Sequence, residues 1–92
     1  MRLDLFLKIS RLIPRRSLAQ EFCDGGLISV NGIVAKPSKE VKVGDEVEIK
    51  RRSRHTKIVV AEIPSAKQIS KSSAGELYRL IEETVIADDP LS

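Results

Sequence analysis

Tryptophan is absent from this chain of 92 residues, and cysteine, histidine and tyrosine occur once each. The single cysteine, Cys23, excludes an intramolecular disulfide and suits a reducing, cytoplasmic interior. It falls on the apolar side of a helical pattern, where a thiol acts as a small hydrophobe. His55 lies between Arg54 and Thr56 in a polar stretch, and no zinc-ligand spacing accompanies it. With two Phe and one Tyr, the chain is too poor in aromatics to bind nucleic acid by stacking bases. No apolar run approaches bilayer-spanning length, and Asp4 and Lys8 interrupt the first one. Neither a membrane segment nor a signal peptide is visible. Phosphate-cradling glycine loops are missing as well. The adjacent carboxylates Glu82-Glu83 and Asp88-Asp89 read as solvated charges rather than a general acid–base pair. A non-enzymatic protein without metal or cofactor is expected.

What the chain does have is arginine and lysine, unevenly placed. Residues 1–60 hold 13 Lys/Arg against 7 Asp/Glu, and residues 61–92 hold 3 against 6. The basic excess in the first part points to a polyanion partner there. The length allows one domain with a short appendage and a small core.

Residues 2 to about 13 read as a helix with two apolar stripes, Leu3-Phe6-Leu7-Ile13 and Leu5-Ile9-Leu12. Pro14 breaks it and pre-sets the first turn of a second helix, Arg15 to Asp24. Leu18, Ala19, Phe22 and Cys23 form that helix's apolar stripe, and Gly25-Gly26 supplies a left-handed stop. Residues 27–31 alternate as a strand, and Asn31-Gly32 is a strong signal for a tight hairpin returning over 33–36. Val41 to Val43 is a short extended piece, and Glu46 to Lys50 is a clean alternating strand. Residues 51–57 read as a basic loop and Lys57 to Ile63 as a last strand. Pro64 to Ser72 reads as a linker. Ser73-Ala74-Gly75-Glu76 has capping-box spacing ahead of a helix with Leu77, Leu80, Ile81, Thr84 and Val85 on one face. That helix is expected to end near Ala87 and to dock on the Leu5-Ile9-Leu12 stripe. The expected class is α+β: two N-terminal helices on a small, mainly antiparallel sheet, plus a short C-terminal helix.

Arg2, Lys8, Arg11, Arg15 and Arg16 crowd one helical pair, with only Asp4, Glu21 and Asp24 nearby in sequence. Arg2, Arg11, Arg15 and Arg16 are candidate phosphate contacts, and Lys8, Gln20, Asn31 and Lys36 sit beside them. Arg16 is the leading candidate. It borders the apolar stripe one turn from Gln20, where a guanidinium fork loses little entropy on binding. Recognition of folded RNA by phosphate, sugar and shape is the expected mode. For the basic group Arg51, Arg52, Arg54 and Lys57, a solvated surface is the plainer account.

The run Arg2-Leu3-Asp4, Leu7, Ser10-Arg11-Leu12, Arg16, Ala19, Gly26, Ile28, Val30-Asn31-Gly32, Pro37, Val41, Gly44-Asp45 resembles the S-four RNA-binding domain. In that family the helical pair and the adjoining hairpin form the RNA-binding surface. Residues 1–63 would be this domain, and 64–92 a linker with an acidic helix. The early Arg2-Leu3-Asp4, the run Arg15-Arg16-Ser17-Leu18-Ala19, the short length and the acidic tail are similar to the small bacterial RqcP family. Pro14 departs from the polar or basic residue more frequent in relatives.

The RqcP resemblance implies a cytoplasmic factor of ribosome-associated quality control, monomeric off the ribosome. Its implied partners are large-subunit ribosomal RNA, peptidyl-tRNA stabilised in the P site and the factor that tails the stalled chain. Arg2 and Arg16 match that family's arginines that contact ribosomal RNA. The runner-up is the related ribosome-binding heat-shock protein family, which usually carries tryptophans in the first helix and a basic extension. A generic structured-RNA module, a fragment of an RNA-modifying or tRNA-charging enzyme, and a helix-turn-helix DNA binder are further alternatives. The second helix carries only two arginines at its start and no run of base-reading side chains, which disfavours the last.

Overall fold

Apolar stretches punctuated by Pro14, Gly26 and Asn31-Gly32 set the element boundaries in a computed structural model, which describes residues 1–64 and 75–85. Helices α1 (Leu3–Ile9) and α2 (Arg16–Asp24) precede five strands: β1 (Ile28–Val30), β2 (Ile33–Val34), β3 (Glu46–Lys50), β4 (Arg54–Val60) and β5 (Tyr78–Val85). The strands form one antiparallel sheet in the order β2-β1-β3-β4-β5. Leu3, Phe6, Leu7 and Ile9 of α1 and Ala19 and Cys23 of α2 bury against Ile28, Val30, Val47, Ile49, Ile58 and Val60. Among the described residues no helix is long and apolar enough to cross a membrane.

The α2 stop forms as expected. Gly26 takes φ 75, Leu27 N–H donates to the Phe22 carbonyl and Gly26 N–H to the Cys23 carbonyl. Those two bonds make a Schellman cap, which a left-handed glycine permits. The hairpin also forms, with Asn31 at φ 52 and Gly32 at φ 84 between paired Val30 and Ile33.

Four expectations are corrected. The first helix ends at Ile9, not near 13. Pro14 bars Ile13 from helical geometry, and Arg11 turns left-handed at φ 62 so that Ile13 can bury. Residues 41–43 form no strand; Val41 is buried in the core while Val43 is exposed. The polar run 51–57 is mostly strand, because β4 begins at Arg54. Its outward face is polar and hid the alternation: Lys57 lies opposite Glu48, while Thr56 and Ile58 point inward.

The last correction is the C-terminal helix. Residues 78–85 are β5, paired along the whole of β4. An apolar β4 would otherwise leave an open sheet edge, and Tyr78, Ile81, Thr84 and Val85 favour strand geometry. Arg79 to Val85 are all exposed, so β5 shows no inward–outward alternation, and a register shift at Lys57/Ile58 interrupts it further. Leu80 pairs with Ile58 and Glu82 with Lys57, so Ile81 is an extra residue. Docking on Leu5 and Leu12 falls with the helix; both already pack, half-buried, against the main core. The linker beyond Pro64, Ser73-Ala74 of the capping box and the end near Ala87 lie outside the described residues.

Candidate nucleic-acid interface

Asp4 is fully buried, yet it is a carboxylate, and four groups converge on it. Leu5 N–H donates to Oδ1 at 2.8 Å, Gln20 Nε2 to Oδ2 at 2.9 Å and Arg16 Nε to Oδ2 at 3.2 Å. Arg2 donates from Nε to Oδ1 at 3.2 Å and from Nη2 to Oδ2 at 3.3 Å. Burial pulls the carboxyl pKa up. The Gln20 amide, the Arg16 guanidinium and the Leu5 N–H outweigh that, so Asp4 titrates below its ordinary value. Asp4 therefore stays ionised and aims two arginines.

Those arginines remain available. Their side chains are about half exposed, 49% for Arg2 and 43% for Arg16. Arg16 uses only Nε on Asp4, which leaves its two terminal nitrogens without a partner among the described residues. A guanidinium held at one edge and open at the other suits a phosphate. Arg15 and Arg16 also sit at the start of α2, where no side chain caps the helix and no acidic residue occupies the first turn. Cations are unfavourable at that end. The local rule is broken where two arginines and unpaired backbone N–H groups can share an anion.

The loop after β2 brings lysines to the same end. Leu3 N–H donates to the Lys39 carbonyl at 2.8 Å and Asp4 N–H to the Pro37 carbonyl at 3.1 Å. These bonds satisfy the first N–H groups of α1 and seat exposed Lys36 and Lys39 beside it. Ile33 and Val34 stay exposed next to them, along a groove of about 350 Å³.

The other candidates divide. Gln20 gives its amide N–H to Asp4, so it positions the arginines. Asn31 is engaged within the fold: its Oδ1 accepts from Glu46 N–H at 3.0 Å and its Nδ2 donates to Asp45 at 3.2 Å. Lys8 is half-buried on α1, and Arg15 is exposed. Arg11 is exposed at its left-handed φ, a position that glycine fills with less strain. Arg11→Gly is expected to raise stability by about 0.5–1 kcal/mol in thermal denaturation while weakening RNA binding. A destabilised variant would show that Arg11 is unstrained.

Phe6 is buried, and Phe22 and Tyr78 are half-buried against the core, so no aromatic side chain is fully exposed for bases to stack on. The Cys23 thiol is pushed up to about 11 by burial and then by Asp4 and Asp24, which keeps it protonated at neutral pH. The residue missed from sequence is Asp4. Its spacing puts it on the polar face with Lys8 and Arg11, and its one signal was an acid with arginines two residues before and twelve after it.

Residues 1–47 match the S4 domain family. The chain is 42% identical over 89 residues to the RQC P-site tRNA stabilizing factor of Streptococcus pneumoniae, covering 97% of this chain and 99% of that one. It is 48% identical over 88 residues to the factor of the same name in Halalkalibacterium halodurans, covering 95% and 97%. The trimeric structure of Vibrio cholerae Heat Shock Protein 15 superposes with a TM-score of 0.78 at 32% identity, covering 87% of this chain and 80% of that one. An S4 domain over the arginine-bearing half, with near full-length likeness beyond it, places the chain in the S4 domain family, among the RQC P-site tRNA stabilizing factors.

Proposed function

We propose that this protein is a non-enzymatic RNA-binding factor of ribosome-associated quality control. It binds ribosomal RNA on large subunits obstructed by peptidyl-tRNA, stabilises tRNA in the P site and assists tailing of the stalled chain. The observation that carries the RNA-binding part is the buried Asp4 carboxylate holding Arg2 and Arg16 half-exposed. Arg2, Arg11, Arg15 and Arg16 take phosphates; Lys8 and Lys36 add charge beside them. The names of the relatives supply the P-site tRNA and the pathway. The partners are large-subunit ribosomal RNA, peptidyl-tRNA and the tailing factor, met in the cytoplasm by a monomer. The heat-shock reading has less support, since identity to the Vibrio protein is 32% against 42% and 48%.

Co-sedimentation tests this. Purified protein is mixed with small subunits, empty large subunits and large subunits carrying peptidyl-tRNA, over a salt series. Preferential binding to the loaded large subunit is expected. Equal, weak binding to all three that modest salt abolishes would reduce the protein to a generic basic RNA module.

A further inference from the structure

The β3–β4 connection carries Lys50-Arg51-Arg52-Ser53-Arg54. It is a tight hairpin: Arg51 N–H donates to the Arg54 carbonyl at 2.8 Å, leaving Arg52 and Ser53 exposed at the tip. Two bonds fasten its base to distant parts of the chain. Lys50 N–H donates to the Leu27 carbonyl at 2.8 Å, just past α2. The Arg51 guanidinium donates to the Leu12 carbonyl, in the connection from α1 to α2. One arginine therefore secures the hairpin beside the turn that presents Arg11.

The neighbouring cations are weakly compensated. Lys50 lies 3.9 Å from Glu48 and Arg54 3.9 Å from Glu83, and all four side chains are substantially exposed. Arg52 and Arg11 have no ion-pair partner among the described residues. We propose that this hairpin tip is a second RNA-binding point, in which Arg52 and Arg54, beside Arg11, hold a stretch of RNA backbone separate from the one held by Arg2 and Arg16. The inference rests on the RNA-binding reading above and extends it.

Separation follows from α1. Asp4 sits in the first turn of that helix and Leu12 in the connection past its end at Ile9, and the seven residues of α1 span about 10 Å at about 1.5 Å of rise each. One phosphate cannot serve both. RNA is favoured over an acidic protein because the tip holds arginines and no large apolar side chain. Protein interfaces need a buried apolar or aromatic anchor. Val85, opposite Arg54 in the register, is too small for that role.

The test compares wild type, Arg16→Ala and the double variant Arg52→Ala/Arg54→Ala, with purified large ribosomal subunits as the probe across a potassium chloride series. Both tip side chains are exposed, so the double variant should keep its fold, checked by circular dichroism. It is expected to bind about ten-fold more weakly and to lower the log–log salt slope by about 1–2, as befits two lost phosphate contacts. Wild-type affinity and slope in the double variant, with Arg16→Ala weakened, would overturn the second point and leave the first standing. A loss on intact subunits that vanishes on protein-free large-subunit RNA would assign the tip to an acidic protein and also overturn it. Failure of the wild type to bind subunits would instead overturn the RNA-binding reading itself, and this inference with it.

Discussion

Asp4→Ala is expected to lower stability by about 2–3 kcal/mol and to weaken RNA binding about ten-fold or more. The carboxylate is fully buried and accepts from Leu5 N–H, Gln20, Arg16 and Arg2. Its removal leaves the Leu5 N–H without an acceptor and opens a void beneath α1. It also frees two guanidiniums that repel each other. Breaking a buried ion pair typically costs about 3–5 kcal/mol. The loss here falls short of that because both arginines are half-exposed and regain water. In a domain this small the midpoint should fall by roughly 10–20 °C. Asp4→Asn keeps the shape and the acceptor for Leu5 but turns an amide N–H toward other donors, so an intermediate loss is expected.

The pH dependence follows from the lowered carboxyl pKa. The folded state binds that proton less readily than the unfolded chain, whose value lies near 3.8. The stabilisation is therefore complete well above pH 3.8 and is lost as pH falls through the lower folded value. Glu40, lowered by a hydrogen bond from the N-terminal ammonium, adds a smaller contribution of the same sign. Urea titrations of wild type and Asp4→Asn between pH 2 and 7 check this: the wild-type acid limb should be steeper. Identical limbs, with unchanged stability and affinity in Asp4→Ala, would mean that Asp4 does not organise the site.

Local chemistry made about half of this fold legible. Asn31-Gly32 requires positive φ and gave the hairpin, Gly26 gave the α2 stop, and Glu46 to Lys50 showed its strand period openly. The β5 strand was hidden because its residues 79–85 are all exposed and show no period of two, and a bulge at Ile81 breaks what alternation remains. A bulge depends on the partner strand, and no single-strand pattern contains it. The early end of α1 depended on where Ile13 finds its core site. For the proposed interface, clustered charge singles out Arg2, Arg11, Arg15 and Arg16, since charge density is a property of sequence. What aims them was not legible. Asp4 and Gln20 are sixteen residues apart, and only the packing of α1 on α2 makes them hydrogen-bond partners. The tether from Arg51 to Leu12 spans thirty-nine residues. Asn31 is exposed as its turn position suggests, and the packing adds that its amide locks the turn to β3.

Arg16→Ala is expected to weaken binding to large ribosomal subunits by about 1.5–3 kcal/mol, a loss of roughly ten- to a hundred-fold. The protein's own stability should change far less. Asp4 keeps Leu5 N–H, Gln20 and Arg2 when Arg16 is gone, so no buried charge is left bare. The half-exposed Arg16 contributes only modestly to the folded state. Arg16→Lys separates charge from geometry. Lysine restores one positive charge but lacks a fork that can hold Asp4 with one nitrogen and phosphate with two. The lysine variant should regain the wild-type salt slope, since the number of neutralised phosphates is unchanged. It should recover only part of the affinity, because the side chain is no longer held in place. Full recovery by lysine would make Arg16 a simple surface charge and remove the positioning role of Asp4. A variant that unfolds, yet binds RNA normally per folded molecule, would make Arg16 a structural residue and move the interface elsewhere on the helical pair.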